Sequence, residues 1–161
     1  MRTAGRLVVC LIAFLAACAP AGRPSDGKGF PDFSGYTPAD HDTYFSGGQR
    51  YSGYSFRTPS GLTCDSNDYL GPEYARIQCW GPRPDKGPGL WLVAAERRSA
   101  ATIRQLTDPD DPQATPPPLL PAQHVVRYPK DDLVCGVGSH ITACRIGRHG
   151  FVLGPKWSRF F

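Results

Sequence analysis

The sequence predicts an all-β fold: a small disulfide-stapled sandwich or barrel of about seven to nine short strands, preceded by a flexible tether. Three observations favour this fold class. The 161 residues include 18 glycines and 17 prolines, which interrupt long helices. Short segments of alternating apolar and polar residues recur between turn sequences. Four cysteines lie in the body of a chain that begins like an exported protein.

The N-terminus has the features of an export signal. Arg2 and Arg6 supply a positive end, an apolar run covers residues 7–15, and two alanines precede Cys18. This arrangement resembles the bacterial lipobox, in which the signal is cut before the cysteine and the thiol carries a diacylglyceryl group. We predict a signal peptide over residues 1–17 and a lipid on Cys18 that anchors the protein at the extracytoplasmic face of the cell membrane.

Two other interpretations of the same segment remain open. An ordinary signal peptide cut near the same place would release a secreted protein. A retained transmembrane helix needs about 20 apolar residues, and the run in residues 7–15 is shorter.

Two segments are predicted between the signal and the β-domain. Residues 18–29 are expected to form a flexible tether, because no apolar residue larger than alanine follows Cys18 there, proline aside. Residues 30–53 remain rich in glycine but add aromatic residues, in which disordered tethers are poor. We expect a strap that lies against the domain and buries some of its rings. A disordered linker is the alternative.

The β-domain is predicted over residues 54–161. Its first turn is Thr58-Pro59-Ser60-Gly61, because proline presets φ at the second position and glycine follows two residues later. In segment 75–80, Ile77 alternates with polar residues and with Trp80, which are expected on the opposite face. The expected strands cover residues 54–57, 62–64, 75–80, 123–128, 133–137, 141–145 and 150–153. Residues 90–106 fit either one helix or two strands, and we favour strands because the surrounding segments are strand-like.

The four cysteines of the body are Cys64, Cys79, Cys135 and Cys144. An even number of cysteines in an exported chain indicates two disulfides, for which three pairings exist. We predict Cys64–Cys79 and Cys135–Cys144, because each of these pairs brackets a hairpin-like segment. A zinc site is a weaker alternative, because the chain lacks the close C-x-x-C doublets typical of such sites.

Several motifs together resemble a known group of proteins. They are Phe56-Arg57-Thr58-Pro59-Ser60-Gly61 followed by Cys64, the late cysteine pair, Gly150-Phe151-Val152-Leu153, and the segment 30–38. The chain resembles an uncharacterised family of small actinobacterial exported proteins, and segment 30–38 resembles its mycobacterial branch. The resemblance implies an envelope location and the same disulfide pairing, and it supplies no catalytic residues. The chain departs from the family at Leu62, where asparagine is common.

Candidate catalytic and metal-binding residues are few. No G-x-S-x-G elbow is present, and Ser60 is explained by its turn. His41 stands between two aspartates in a polar segment, which favours a solvated turn. His140 and His149 flank the last disulfide hairpin and could approach each other, but they have no carboxylate nearby in the sequence. The acidic residues 108–111 lack the alternation and glycine of a calcium loop. We predict no catalytic residue, no metal site and no cofactor.

The candidate binding residues are three tryptophans, Trp80, Trp91 and Trp157. They either fill the core or form a binding surface. The formal charge is +4, and removal of two signal arginines leaves about +2, too weak and scattered for nucleic acid. The sequence therefore predicts a lipid-anchored cell-envelope protein, a non-enzymatic binding or structural module. Its expected partner is an envelope protein or a cell-wall component. The alternative is a small hydrolase that acts on envelope polymer or lipid.

Overall fold

The computed structural model describes residues 29–47, 52–67, 71–107 and 116–161. The predicted signal peptide, Cys18 and the tether before Gly29 lie outside these ranges. In the described ranges, no helix is long and apolar enough to cross a membrane. The strands are β1 (Thr37–Pro38), β2 (Phe45–Gly47), β3 (Ser52–Arg57), β4 (Thr63–Asn67), β5 (Arg76–Arg83), β6 (Gly87–Glu96), β7 (Ser99–Leu106), β8 (His124–Tyr128), β9 (Leu133–Val137), β10 (Thr142–Ile146), β11 (His149–Leu153) and β12 (Ser158–Phe160). A short helix, α1 (His41–Tyr44), precedes β2, and 3₁₀ turns occupy Pro72–Tyr74 and Pro129–Asp131.

The strands form two six-stranded sheets. Sheet 1 has the order β1-β8-β9-β10-β11-β12, and sheet 2 has the order β2-β3-β4-β5-β6-β7. Neighbours are antiparallel, except that β1 pairs with β8 in parallel. Hairpin connections between consecutive strands produce this meander-like order. The predicted all-β fold is confirmed, and it takes the form of a sandwich.

The main core lies between the two sheets. One buried row crosses sheet 2, because the register places Phe56, Cys64, Cys79 and Val93 side by side on consecutive strands. Sheet 1 contributes Val126, Leu133, Val137, Ile146, Phe151 and Leu153 to the same cluster. Alternation along each strand sends every second side chain into this core, as the period of two requires.

Both predicted disulfides are present and buried. Cys64 pairs directly with Cys79 across β4 and β5, with a Cα–Cα distance of 4.0 Å. Cys135 pairs with Cys144 across β9 and β10, with a Cα–Cα distance of 4.1 Å. Each disulfide therefore joins neighbouring strands of one sheet, as the predicted hairpins require.

Part of the strap covers the outer face of sheet 1. Phe33 is 3% exposed and packs on a second cluster formed by Val125, Val134, Ala143 and Val152. Val125 and Val126 belong to different clusters, so these neighbours point to opposite faces of β8. Sheet 1 is consequently buried on both sides.

The approach of the strap to sheet 1 depends on Gly136. A Cβ atom at this position would lie 2.5 Å from the ring of Phe33. The Nη2 atom of Arg127 donates a hydrogen bond of 3.2 Å to the Phe33 carbonyl oxygen. A glycine on β9 thus makes room for the ring, and β8 holds the backbone beside it.

All nine predicted strand segments are strands in the structure. Residues 90–106 form β6 and β7, so the strand interpretation of that segment is correct and the helix is excluded. The described chain has three further strands, β1, β2 and β12, which the sequence did not indicate. Each has only two or three residues, too few to show an alternating pattern.

Candidate functional site

The outer face of sheet 2 carries the strongest candidate site, which we call the Trp80 face. The strand register aligns one row of outward side chains across five strands: Arg57, Thr63, Trp80, Leu92 and Arg104. Strand spacing is about 4.8 Å, so the row is about 19 Å long. The indole of Trp80 lies at the centre of this row, on β5.

A second row beside the first is mostly polar. It contains Ser55, Asp65, Gln78, Ala94 and Thr102, again on five consecutive strands. The amide of Gln78 and the hydroxyl of Thr102 can both donate and accept hydrogen bonds, whereas Ser55 Oγ and Asp65 Oδ1 are buried. The two rows therefore combine one aromatic platform with a border of polar groups.

In the described residues, the Trp80 face is more exposed around Trp80 and Arg104 than the outer face of sheet 1. On sheet 1 the outward residues Val125, Ala143 and Val152 are at most 1% exposed beneath the strap. On sheet 2, Trp80 and Leu92 are half-buried, while Arg104 is exposed. The first part of the strap, around Phe30, Phe33 and Tyr36, lies on sheet 1, so the Trp80 face is on the opposite side of the sandwich.

Arg57 is held at one end of the first row. Its Nε atom donates a hydrogen bond of 2.8 Å to the carbonyl oxygen of Pro117. Its backbone also pairs with residues 118 and 120, because its N–H donates to Pro118 and its carbonyl accepts from Leu120, each at 2.8 Å. The segment after Pro116 thus lies along β3 and positions a guanidinium group at the border of the Trp80 face.

The structure separates the three candidate tryptophans. Trp91 pairs with Gly81 and alternates with Val93, which places it on the core side, where its Nε1 donates to the Gly87 carbonyl at 3.3 Å. Trp157 is 45% exposed in the turn between β11 and β12. Trp80 is therefore the one of the three that lies on the outer face of sheet 2.

His41 is an exposed residue whose ring takes part in an aromatic cluster. Its imidazole lies 4.6 Å from the ring of Phe45 and 5.5 Å from that of Tyr54, measured between centroids. Its Nδ1 atom lies 3.4 Å from the Tyr54 hydroxyl. Burial raises the pKa of Tyr54, which keeps this hydroxyl protonated. Packing, rather than a solvated turn alone, accounts for the position of His41.

The aspartate before His41 has a structural role. Asp40 is the N-cap of α1, and its carboxylate accepts hydrogen bonds from the Thr43 N–H at 2.9 Å and the Thr43 hydroxyl at 2.7 Å. These bonds hold the pKa of Asp40 below its usual value. The carboxylate is engaged by the helix and does not orient the imidazole.

The remaining candidate residues do not form a site together. His140 lies in the turn before β10 and His149 begins β11, so the two occupy opposite ends of β10, about 15 Å apart along the strand. The two histidines therefore do not lie together. The Ser60 hydroxyl lies 2.8 Å from the Thr58 hydroxyl within the predicted turn. Among the described residues, no three His, Cys, Asp or Glu side chains group as metal ligands do.

A buried polar network that the sequence did not indicate joins the two sheets. Arg83, 4% exposed, contacts Asp85 at 2.6 Å, and its Nη2 donates to the Trp157 carbonyl and the Ser158 hydroxyl, each at 2.9 Å. The Ser158 hydroxyl donates to Asp85 at 2.6 Å. Burial raises the pKa of Asp85, but the Ser158 hydrogen bond and the Arg83 charge outweigh it and hold the pKa below its usual value. Residues 75 positions apart in sequence meet here, which explains why no local pattern revealed them.

No family model, no curated protein and no solved structure matches this chain. The interpretation of the Trp80 face therefore depends on its own geometry and chemistry.

Proposed function

We propose that the protein is a lipid-anchored component of the cell envelope that binds a cell-wall polysaccharide on the Trp80 face and performs no catalysis. The observation that supports this most is the pair of rows on sheet 2, in which one indole lies beside the polar side chains of Thr63 and Gln78.

The chemistry of the face suits a carbohydrate. A sugar ring has an apolar C–H face and a rim of hydroxyls, and an indole offers a flat apolar platform of matching size. Gln78, on the same strand, and Thr63, on β4, flank that platform with amide and hydroxyl groups that fix ligand orientation. A stack on Trp80 with hydrogen bonds to its neighbours would thus use both parts of a sugar.

The predicted anchor supports the same assignment. Ten residues separate Cys18 from Gly29, and such a segment reaches at most about 35 Å when extended. From Gly29 the chain crosses sheet 1, so its exit lies on the side opposite the Trp80 face. A domain tethered in this way can present the Trp80 face away from the membrane.

Cosedimentation with purified, insoluble cell-wall polysaccharide tests the proposal. Trp80→Ala should lower the affinity at least about thirtyfold, as expected for loss of an aromatic anchor. Trp157→Ala is the matched control, because it removes an exposed indole from a distant turn and should leave the affinity unchanged. Binding that survives Trp80→Ala, or that both substitutions lower equally, would contradict the proposal.

A further inference from the structure

The long edge of sheet 2 is the basis of a separate inference. Strand β7 has eight residues and ends the sheet. The other sheet edges, β1, β2 and β12, have two, three and three residues. Near β2 the segment after Pro116 also pairs with β3, through two backbone hydrogen bonds to Arg57. β7 is thus the one long edge strand in the described chain.

The outward side of β7 keeps the features that allow strand pairing. In the described residues, no backbone hydrogen bond from another segment reaches it. Its sequence, SAATIRQL, contains neither proline nor lysine, the residues with which proteins commonly protect an edge. Ser99, Ala100 and Ala101 are small, so a second backbone can approach closely. Ile103, half-buried at the border of the core, leaves part of an apolar side chain uncovered.

We propose that β7 pairs with β7 of a second copy of this chain, antiparallel and centred on Ile103, to form a two-fold symmetric dimer. Antiparallel pairing about a two-fold axis normal to the sheet places residues opposite each other when their side chains point to the same side of the sheet, because side chains alternate with a period of two. In this register Ile103 meets its own copy on the core side, and Arg104 faces Thr102. Arg104, the one charged residue of β7, therefore does not lie opposite Arg104 of the second copy.

The size of the edge agrees with a reversible dimer. Eight residues extend about 26 Å, and the two-layer sandwich is about 20 Å high, so pairing would cover about 500 Å² of each copy. The total of about 1,000 Å² is at the lower limit for specific interfaces. We expect a dimer that dissociates in the micromolar range.

Dimerisation would make the outer faces of the two copies of sheet 2 continuous. Five strand spacings would separate the two Trp80 positions, about 24 Å. Two Trp80 faces on one surface would bind a repeating polymer with avidity. Dimerisation through β7 does not itself require polysaccharide binding, so the two proposals fail independently.

Sedimentation equilibrium of the full chain in density-matched detergent tests the dimer. Wild type should reach the mass of two chains as its concentration rises. Thr102→Lys places a lysine opposite Arg104 of the partner copy, and because the two-fold axis repeats this pair, dimerisation should weaken about tenfold. Thr102→Glu places a carboxylate there and should strengthen it. Ser139→Lys, in the exposed turn after β9, has the charge change of Thr102→Lys and should have no effect.

Thr102 is exposed, so both substitutions should leave the thermal unfolding of the domain unchanged at concentrations below the dissociation constant of the dimer, where dimerisation adds nothing to stability; this is checked alongside. A wild-type chain that stays monomeric at all concentrations overturns the proposal. So does an equal effect of lysine and glutamate at position 102, since the Ile103-centred register requires effects of opposite sign.

Discussion

Phe33→Ala tests whether the strap is an integral layer of the fold. The ring of Phe33 is 3% exposed and covers the outer face of sheet 1. It also lies 5.4 Å from the ring of Phe30 and 4.8 Å from that of Tyr36, measured between centroids. The substitution removes the ring from this layer and leaves the space above Gly136 empty.

The expected loss follows from the burial of the ring. Phenylalanine-to-alanine substitutions at buried sites cost about 3–5 kcal/mol. The strap lies at the surface and can settle into part of the space, so we expect about 3 kcal/mol. This is a large part of the total stability of a single domain, which is about 5–15 kcal/mol. A loss of about 3 kcal/mol should lower the unfolding temperature by about 10 °C.

Urea unfolding with both disulfides intact measures this change, and Phe30→Ala is the matched control. Phe30 is half-buried beside Phe33 and Phe161, so its substitution should cost only about 1 kcal/mol.

Gly136→Ala provides a double-mutant cycle, because its Cβ would lie 2.5 Å from the Phe33 ring. Its cost should largely disappear once that ring is removed. A loss below about 1 kcal/mol for Phe33→Ala, or additive energies in the cycle, would refute the integral strap.

Two further predictions concern the buried network and the anchor. The pKa of Asp85 is lowered in the folded state, so its ionised carboxylate stabilises the fold fully at pH values above the unfolded pKa of about 4. This stabilisation is lost as the pH falls through the lower pKa of the folded state. At neutral pH, Asp85→Asn should lower the free energy of unfolding by about 3 kcal/mol, because it leaves Arg83 without its counter-charge. The variant should also lose less unfolding free energy than wild type when the solution is acidified. An equal loss on acidification in both proteins would exclude this role for Asp85. Cys18→Ala should move the protein out of the membrane fraction, which fractionation with a salt wash measures; membrane retention of the variant would rule out the lipid anchor.

Local sequence patterns were sufficient to predict most of the fold. Alternation in residues 75–80 placed Ile77 in the core and Trp80 on the opposite face, because a strand has a side-chain period of two. Turn residues located the hairpins, and the hairpins in turn selected the correct pairing of Cys64 with Cys79. These features depend on residues close together in the chain, where proline, glycine and alternation act directly.

The candidate site needed the tertiary structure, because strand order and register decide which distant residues share a face. Trp80 could be recognised as an outward aromatic residue, but Arg57 and Arg104 become its neighbours only when five strands align. The opposite ends of β10 likewise separate His140 from His149, although the sequence places them nine residues apart. The sequence by itself determined the nine longer strands, the disulfides and the aromatic character of the strap. Only the packing of two sheets decided which face the strap covers and which it leaves open, because that choice depends on contacts between residues far apart in the chain.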